Sequence, residues 1–474
     1  MKRIHTLLAI GCGLLFAAST CFAQMYTVND LGTLGGEWSD VTGINASGQV
    51  AGSSGLPNAA GHAFRTAPNR PINPHTDDLG TLGVPFHSEG WGINDSGQVV
   101  GGSFIQFFRG PFHAFRTSPN ESINPATDDL GALSGGFSTA RGVNFSGQVV
   151  GYASVTSGPA EHAFRTRPNR PIDPATDDLG TLGGLESQAA DINAFGQVVG
   201  MATLAGDTEI HAFRTRPNRR INPATDDLGT FGGSVSYARG INDFGQVVGS
   251  ARLPGDTVSH AFRTASNRSI NPATDDLGTL GGTFSDALGI NNYGQVTGLS
   301  YLPGDSDEHA FLYDGGKMQD LTTLIESDSS CEIARIGTVD INDAGQMAGS
   351  AICTGQTHAV RLDPIYHALV QQPINADGSS VFKNKRGTIP VKFRLTQHNA
   401  RTCNLLPATL AITRASGGKL RSVDENEYGR GSSFKITGCQ YHYNLVAKEL
   451  GAGVYRADIS INGIMVGHAV FAVK

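Results

Sequence analysis

The sequence predicts an all-β protein: a seven-bladed, kelch-like β-propeller followed by an immunoglobulin-like β-sandwich. Three observations carry that expectation. The tripeptide His-Ala-Phe begins at His62, His113, His162, His211, His260 and His309, with His-Ala-Val at His358. A second anchor, Ile/Val-Asn-x-x-Gly-Gln, falls in register with it at Asn45, Asn94, Asn144, Asn193, Asn242, Asn291 and Asn342. Composition agrees, because 62 glycines and only 16% charged residues suit short strands joined by tight turns.

The chain opens with Lys2 and Arg3, an apolar stretch over Leu7–Ala18, and a small-residue exit at Ala23. This pattern reads as a signal peptide, residues 1–23, cleaved near Ala23/Gln24 and too short to span a bilayer. A lipoprotein cut before Cys21 is the alternative, but Thr20 suits it badly. No later run is long and apolar enough for a spanning helix, so no stable membrane insertion is expected. The mature chain should be secreted, to the exterior, the cell surface or the periplasm.

Residues 24–363 hold the repeats. In one unit, "ARGIN" (238–242), "QVVGSA" (246–251), "HAFRT" (260–264) and "DDLGTL" (275–280) read as four antiparallel strands separated by Gly, Asn and Pro turns. The unit recurs about every 49 residues, the size of a propeller blade. The array starts with a lone fourth strand (26–32) and ends with a third strand near His358. Pairing these two ends would close a ring and remove both exposed edges. An open β-solenoid is the alternative architecture.

The anchors resemble the bacterial extracellular HAF repeat family, over about residues 28–362. The resemblance implies secretion and no shared activity. This chain departs from the family pattern in its longer third-to-fourth strand loop, "RTxPNRxINPATD".

Residues 364–474 lack the anchors and read as seven strands, beginning with "VFKNK" at 381, the count of an immunoglobulin-like sandwich. Pro390, Lys392 and Phe393 resemble the signature of a small bacterial Pro-x-Lys-Phe module, which implies a terminal appendage. Charge separates the two parts: residues 24–363 carry 19 Lys/Arg against 36 Asp/Glu, and 364–474 carry 14 against 6. The basic module is therefore suited to an anionic surface polymer or to its own acidic propeller.

Cys331, Cys353, Cys403 and Cys439 form an even set without zinc spacing, which suits disulfides in an oxidising compartment. Strand parity places Cys331 and Cys353 on one face of the last blade. The expected pairs are Cys331–Cys353 and Cys403–Cys439.

The seven repeated histidines start the third strands, away from the central axis, and are expected to bond a backbone group or the repeated Asp. The "DDLG" pairs lack calcium-loop spacing and read as turn residues. The glycines have no strand-loop-helix context for phosphate. No catalytic residue, metal or cofactor is assigned.

On the face made by the first-to-second and third-to-fourth loops the copies agree. On the opposite face they diverge, and the early units crowd aromatics there. Trp38, Phe86, His87, Trp91, Phe107, Phe108 and Arg109, with Phe104 and Phe112, are the candidate contact residues. The expected function is non-enzymatic binding of an extracellular glycan or protein on this variable face, with no nucleic-acid partner. The alternatives are a secreted carbohydrate-active enzyme using loop carboxylates such as Glu37, Glu89, Glu186 and Glu209, or a structural matrix protein.

Overall fold

The computed structural model describes residues 25–474 apart from 59, 84–86, 107–109, 135, 156–159, 327–330, 333–336, 338–339, 376–377, 384–387, 398–399, 404–407, 417–418, 423–433, 447–449 and 462–463. The expected signal peptide thus lies outside the described residues. Among the described residues no helix is long and apolar enough to cross a membrane.

The protein is all-β, and the repeats build a propeller-like ring of small antiparallel sheets. Their first strands are Ser39–Ile44, Ser88–Ile93, Ser138–Val143, Gly183–Ile192, Ser236–Ile241 and Ser285–Ile290. Each pairs with the next strand in sequence, which pairs with the His-Ala-Phe strand. The seventh sheet is completed from the far end of the chain: Tyr26–Gly32 lies antiparallel to Gln356–Pro364, with Tyr26 opposite Pro364.

Hydrogen bonds close the ring. The side-chain amide of each repeated Asn donates to the backbone carbonyl of the next: Asn45 to Asn94, then Asn144, Asn193, Asn242, Asn291 and Asn342. Asn342 donates back to Asn45 at 2.9 Å. The Oδ1 of each such Asn also folds its own turn; that of Asn45 accepts from the amides of Ser47 and Gln49. A side chain that satisfies its own hairpin and the neighbouring sheet explains why this residue is copied in every unit.

The His-Ala-Phe strand divides its labour similarly. The phenylalanines Phe64, Phe115, Phe164, Phe213, Phe262 and Phe311 are fully buried. They pack into apolar seams such as Val100 and Ala114 of one sheet against Leu130, Leu133 and Ile172. Each histidine binds the Asp of Asp-Leu-Gly, or of Asp-Leu-Thr for His309, through Nδ1, from His62–Asp78 at 2.8 Å to His358–Asp30 at 2.9 Å across the closing seam. The same Asp accepts the amide two residues on, as Asp78 does from Gly80.

The outermost strand is shorter than the sequence suggests. In the first four units it shrinks to single bridges, Phe64–Asp78, Phe115–Asp129, Phe164–Asp178 and Phe213–Asp227. Gly80 and its counterparts turn the chain away at positive φ, 73° for Gly80, and the Asp–His bond replaces further ladder pairing.

From Tyr366 two five-stranded sheets follow, with Val391, Phe393, Tyr455, Ile459 and Phe471 buried in the core. Their first strand, Tyr366–Gln371, was not among the seven read from sequence; it pairs with Thr388–Gln397 as the sheet edge. Disulfides join Cys331 to Cys353, which also face each other in register, and Cys403 to Cys439. This module rests on the agreeing face of the ring. Tyr293 Oη meets His468 Nε2 at 3.1 Å, the Arg456 guanidinium lies 4.6 Å from the Tyr293 ring, and the Met465 amide donates to Asp314 at 2.9 Å. No Lys/Arg to Asp/Glu ion pair joins module and ring among the described residues, so aromatic and hydrogen-bond contacts carry this docking rather than charge alone.

Candidate ligand-binding site

The inner strands share one irregularity. Six of them carry a β-bulge just before the Gly/Asp-Ile/Val-Asn of the unit: the register shifts between Val41 and Gly43, Gly90 and Gly92, Ala140 and Gly142, Ala189 and Asp191, Ala238 and Gly240, and Ala287 and Gly289. The skipped residues are Thr42, Trp91, Arg141, Ala190, Arg239 and Leu288. All six line the central channel. A bulge frees one side chain from the ladder and re-aims it, and here the freed position is the one that differs in nearly every copy. The glycine that follows lets neighbouring strands crowd together: a Cβ on Gly92 would sit 2.7 Å from the Arg141 carbonyl oxygen.

Two copies replace that glycine with aspartate. Asp191 accepts from the amides of Ile192 and Ile241, and Asp340 from those of Ile341 and Ile44, so each carboxylate ties two sheets together. Part of each side chain remains open to the channel, yet the enclosing wall desolvates the charge. Burial pushes Asp191 up to about 7 and Asp340 up to about 6.

Trp91, Arg141 and Tyr152 form the most asymmetric part of the mouth. The Arg141 guanidinium lies 3.7 Å from the Trp91 ring centroid and 5.5 Å from that of Tyr152, and its Nη2 donates to Tyr152 Oη at 3.1 Å. Arg141 makes no ion pair among the described residues. The Trp91 indole N–H is buried with no partner of hydrogen-bond geometry, although it lies close enough to Glu89 to help lower that carboxyl. Glu89 is held down chiefly by its hydrogen bond from His87, at 2.9 Å.

An aromatic row runs outward from this mouth. Tyr152 is 6.1 Å from Phe137, Phe137 stacks at 5.9 Å on Phe112, and Phe112 meets Phe104 at 5.0 Å and His87 at 6.5 Å. His87 and Trp38 then flank Gly61, within 3.4 and 3.3 Å of where a Cβ would stand. Trp38 is 40% exposed and ends the row at the rim. The structure thus brings Trp38, His87, Phe104, Phe112 and Trp91 into one sequence of neighbours. Phe86, Phe107, Phe108 and Arg109 lie outside the described residues.

Arg239 completes the opposite side of the mouth. Its Nε and Nη2 both reach one oxygen of Asp286 at 3.1 Å. Burial raises the Asp286 carboxyl while Arg239 pulls it back. The bulge ring adds a second asymmetric surface to the variable loops named from the sequence, and Trp91 belongs to it. The ring's signal was present in the sequence as the residue preceding each Gly/Asp-Ile/Val-Asn.

No family model and no curated protein matches the sequence. Among solved structures the chain is similar to the extracellular domain of a putative one-component system from B. thetaiotaomicron, at 9% identity and a TM-score of 0.25, covering 95% of this chain and 57% of that one. The chain therefore spans little more than half the length of that structure. It is also similar to Trypanosoma rangeli sialidase in complex with the inhibitor DANA, at 8% identity and a TM-score of 0.32, covering 94% of this chain and 85% of that one. Likenesses this distant carry no chemistry from those proteins to this one.

Proposed function

We propose that this chain is a secreted, non-enzymatic binding protein of the HAF-repeat kind that takes a glycan at the channel mouth and along the aromatic row of its variable face. One observation carries the reading. Scaffold positions are copied in every unit, while the bulged residues change from Thr42 to Trp91, Arg141, Ala190, Arg239 and Leu288. The copied positions build the scaffold, and variation at the bulges is what a single asymmetric ligand would ask for. Half-buried aromatic faces beside hydrogen-bonding groups suit sugar rings, which present C–H faces and hydroxyl edges. The two disulfides fit an oxidising compartment.

The test is a glycan and cell-wall polymer array probed with the full chain beside Trp91→Ala and Trp38→Ala. Loss of at least about tenfold in affinity in Trp91→Ala supports the reading, since central aromatic anchors dominate such surfaces. Glycan binding unchanged in both variants would remove recognition from this face. Binding of proteins but of no glycan would replace the ligand class.

A further inference from the structure

We infer that the channel mouth is an oxyanion clamp with Arg141 and Arg239 as its two jaws, so that the bound sugar carries a carboxylate or a sulfate ester. This rests on the glycan reading above and names its chemistry.

Both arginines occupy bulges, two sheets apart, and both line one cleft of about 290 Å³. Each is oriented without being used up. Arg141 is fixed by a neutral phenol and by the Trp91 face and makes no contact ion pair among the described residues. Arg239 is held from behind by Asp286, which is only 6% exposed. Its Nε and Nη2 converge on a single oxygen of that carboxylate, and Nη1 has no partner among the described residues. The Arg239 side chain remains 45% exposed. A guanidinium anchored on one edge and open on the other is preorganised for bidentate contact with a planar or tetrahedral oxyanion.

Asp286 is not repeated scaffolding. At the equivalent position of the first sheet, Asp40 receives the Ser350 hydroxyl from the preceding sheet. The corresponding hydroxyl, Ser250, lies close enough to Asp286 to help lower its carboxyl, but Asp286 Oδ1 has no partner of hydrogen-bond geometry. Arg239 supplies an ion pair that Asp40 lacks among the described residues, which makes Asp286 a positioning residue for Arg239.

The nearby acids make no ion pair with Arg141 among the described residues: Glu89 is engaged by His87 at 2.9 Å and Glu161 by Gln188 at 2.9 Å, although both lie close enough to feel its charge. None of the six bulge positions carries an acid, in a ring with 36 acidic and 19 basic residues. Asp191 and Asp340 also face the channel, but burial holds both carboxyls above their ordinary value, which reduces the charge they set against the two arginines.

The experiment is titration calorimetry of the full chain with oligogalacturonate, a sulfated galactan, a neutral galactan of similar length, and sodium sulfate alone. Arg141→Gln, Arg239→Gln and Asp286→Asn serve as variants, with Arg141→Lys in reserve should the Gln variant fail to fold. The clamp predicts binding of one or both acidic glycans, weakening as salt rises, with about 10- to 100-fold loss in each Arg→Gln variant. Arg141→Lys keeps the charge but not the fork and should fall between. Asp286→Asn should weaken binding in the wild-type background and add nothing in Arg239→Gln. Equal binding of the neutral galactan with both arginine variants unaffected overturns the clamp and leaves the glycan reading standing. Arginine-dependent sulfate binding without any glycan binding keeps the clamp and overturns the glycan reading. Silence from all four probes overturns both.

Discussion

Asn342 donates its side-chain amide to the carbonyl of Asn45 at 2.9 Å, across 297 residues of sequence. It is the seventh link in a chain of like bonds, and the one that returns to the first unit. The ring is thus closed twice at the same seam, by this amide on the channel side and by the Tyr26–Gly32 strand further out.

Asn342→Ala should therefore destabilise the fold by about 1–3 kcal/mol, because it removes one of the two donors to the Asn45 carbonyl, which keeps the Gly48 amide, and unties the Ala344 and Gln346 amides of its own turn. Reducing the Cys331–Cys353 bond beside the same seam should cost a further ~3 kcal/mol on the chain-entropy model. Urea unfolding with and without reductant measures both. A ring held mainly by its seam would show Asn193→Ala, an interior copy, as distinctly milder than Asn342→Ala. Equal losses would mean that every link counts alike.

Acid should attack the His–Asp pairs. Burial raises the carboxyls of Asp78, Asp129, Asp178, Asp227 and Asp276, but the histidine hydrogen bond and the glycine amide outweigh it and leave each below its ordinary value. A depressed carboxylate contributes stability above its unfolded pKa, near 3.9, and that contribution disappears as pH falls through the lower folded value. The contribution of these pairs should accordingly hold above about pH 4 and fall away below it. Asp227→Asn should lower stability by about 1 kcal/mol at neutral pH and by less at pH 2–3, since these pairs are partly exposed.

The channel aspartates should titrate in the opposite sense. Asp191 is pushed up to about 7, so the fold prefers it protonated. Its contribution is complete below the unfolded pKa and is eroded as pH rises from about 4 through 7. Asn at this position cannot accept both the Ile192 and Ile241 amides, so Asp191→Asn has a fixed structural cost. That cost should shrink as pH rises, and the two proteins should converge or cross by pH 8. A difference in stability that stays constant from pH 4 to 8 would falsify the buried-charge assignment.

The repeating half of this molecule was legible because its residues serve periodic ends. Asn45, His62 and Phe64 and their copies each bond or bury against the next unit, so one solution recurs and the period shows. The ring closure was legible too, in the unmatched strands at the ends of the array. The site was not. Strand alternation assigns Trp91 a face from its neighbours, but a bulge sets two residues against one and redirects the side chain. That two-against-one count exists only between strands. Trp91 and Trp38 were visible as early aromatics; that Arg141 lies on one and is joined by Arg239 across the channel required the fold. The strand Tyr366–Gln371 escaped because it is an edge strand of mixed burial lying directly against the last repeat.

Because the bulged side chains line the channel, changing those without a bond to the neighbouring sheet should leave the fold almost untouched. Thr42, which donates to the Gly90 carbonyl, and Arg239, which binds Asp286, are the two that have one among the described residues. Thr42, Ala190 and Leu288 already occupy the same position in other units, so the scaffold tolerates small, polar and branched side chains there. Trp91→Thr and Arg141→Ala should each shift unfolding by no more than about 1 kcal/mol, the scale of substitutions outside packed cores. Arg239→Leu should cost more, because it leaves the buried Asp286 carboxylate without its ion-pair partner. A buried structural tryptophan removed from a core would instead cost about 3–5 kcal/mol. Thermal and urea unfolding of the three variants separates the cases. Large losses in the first two would make Trp91 and its arginine partner part of the wall that holds the ring together. Small losses there, beside the affinity changes expected at this mouth, would identify six positions in one structural register whose variation serves recognition.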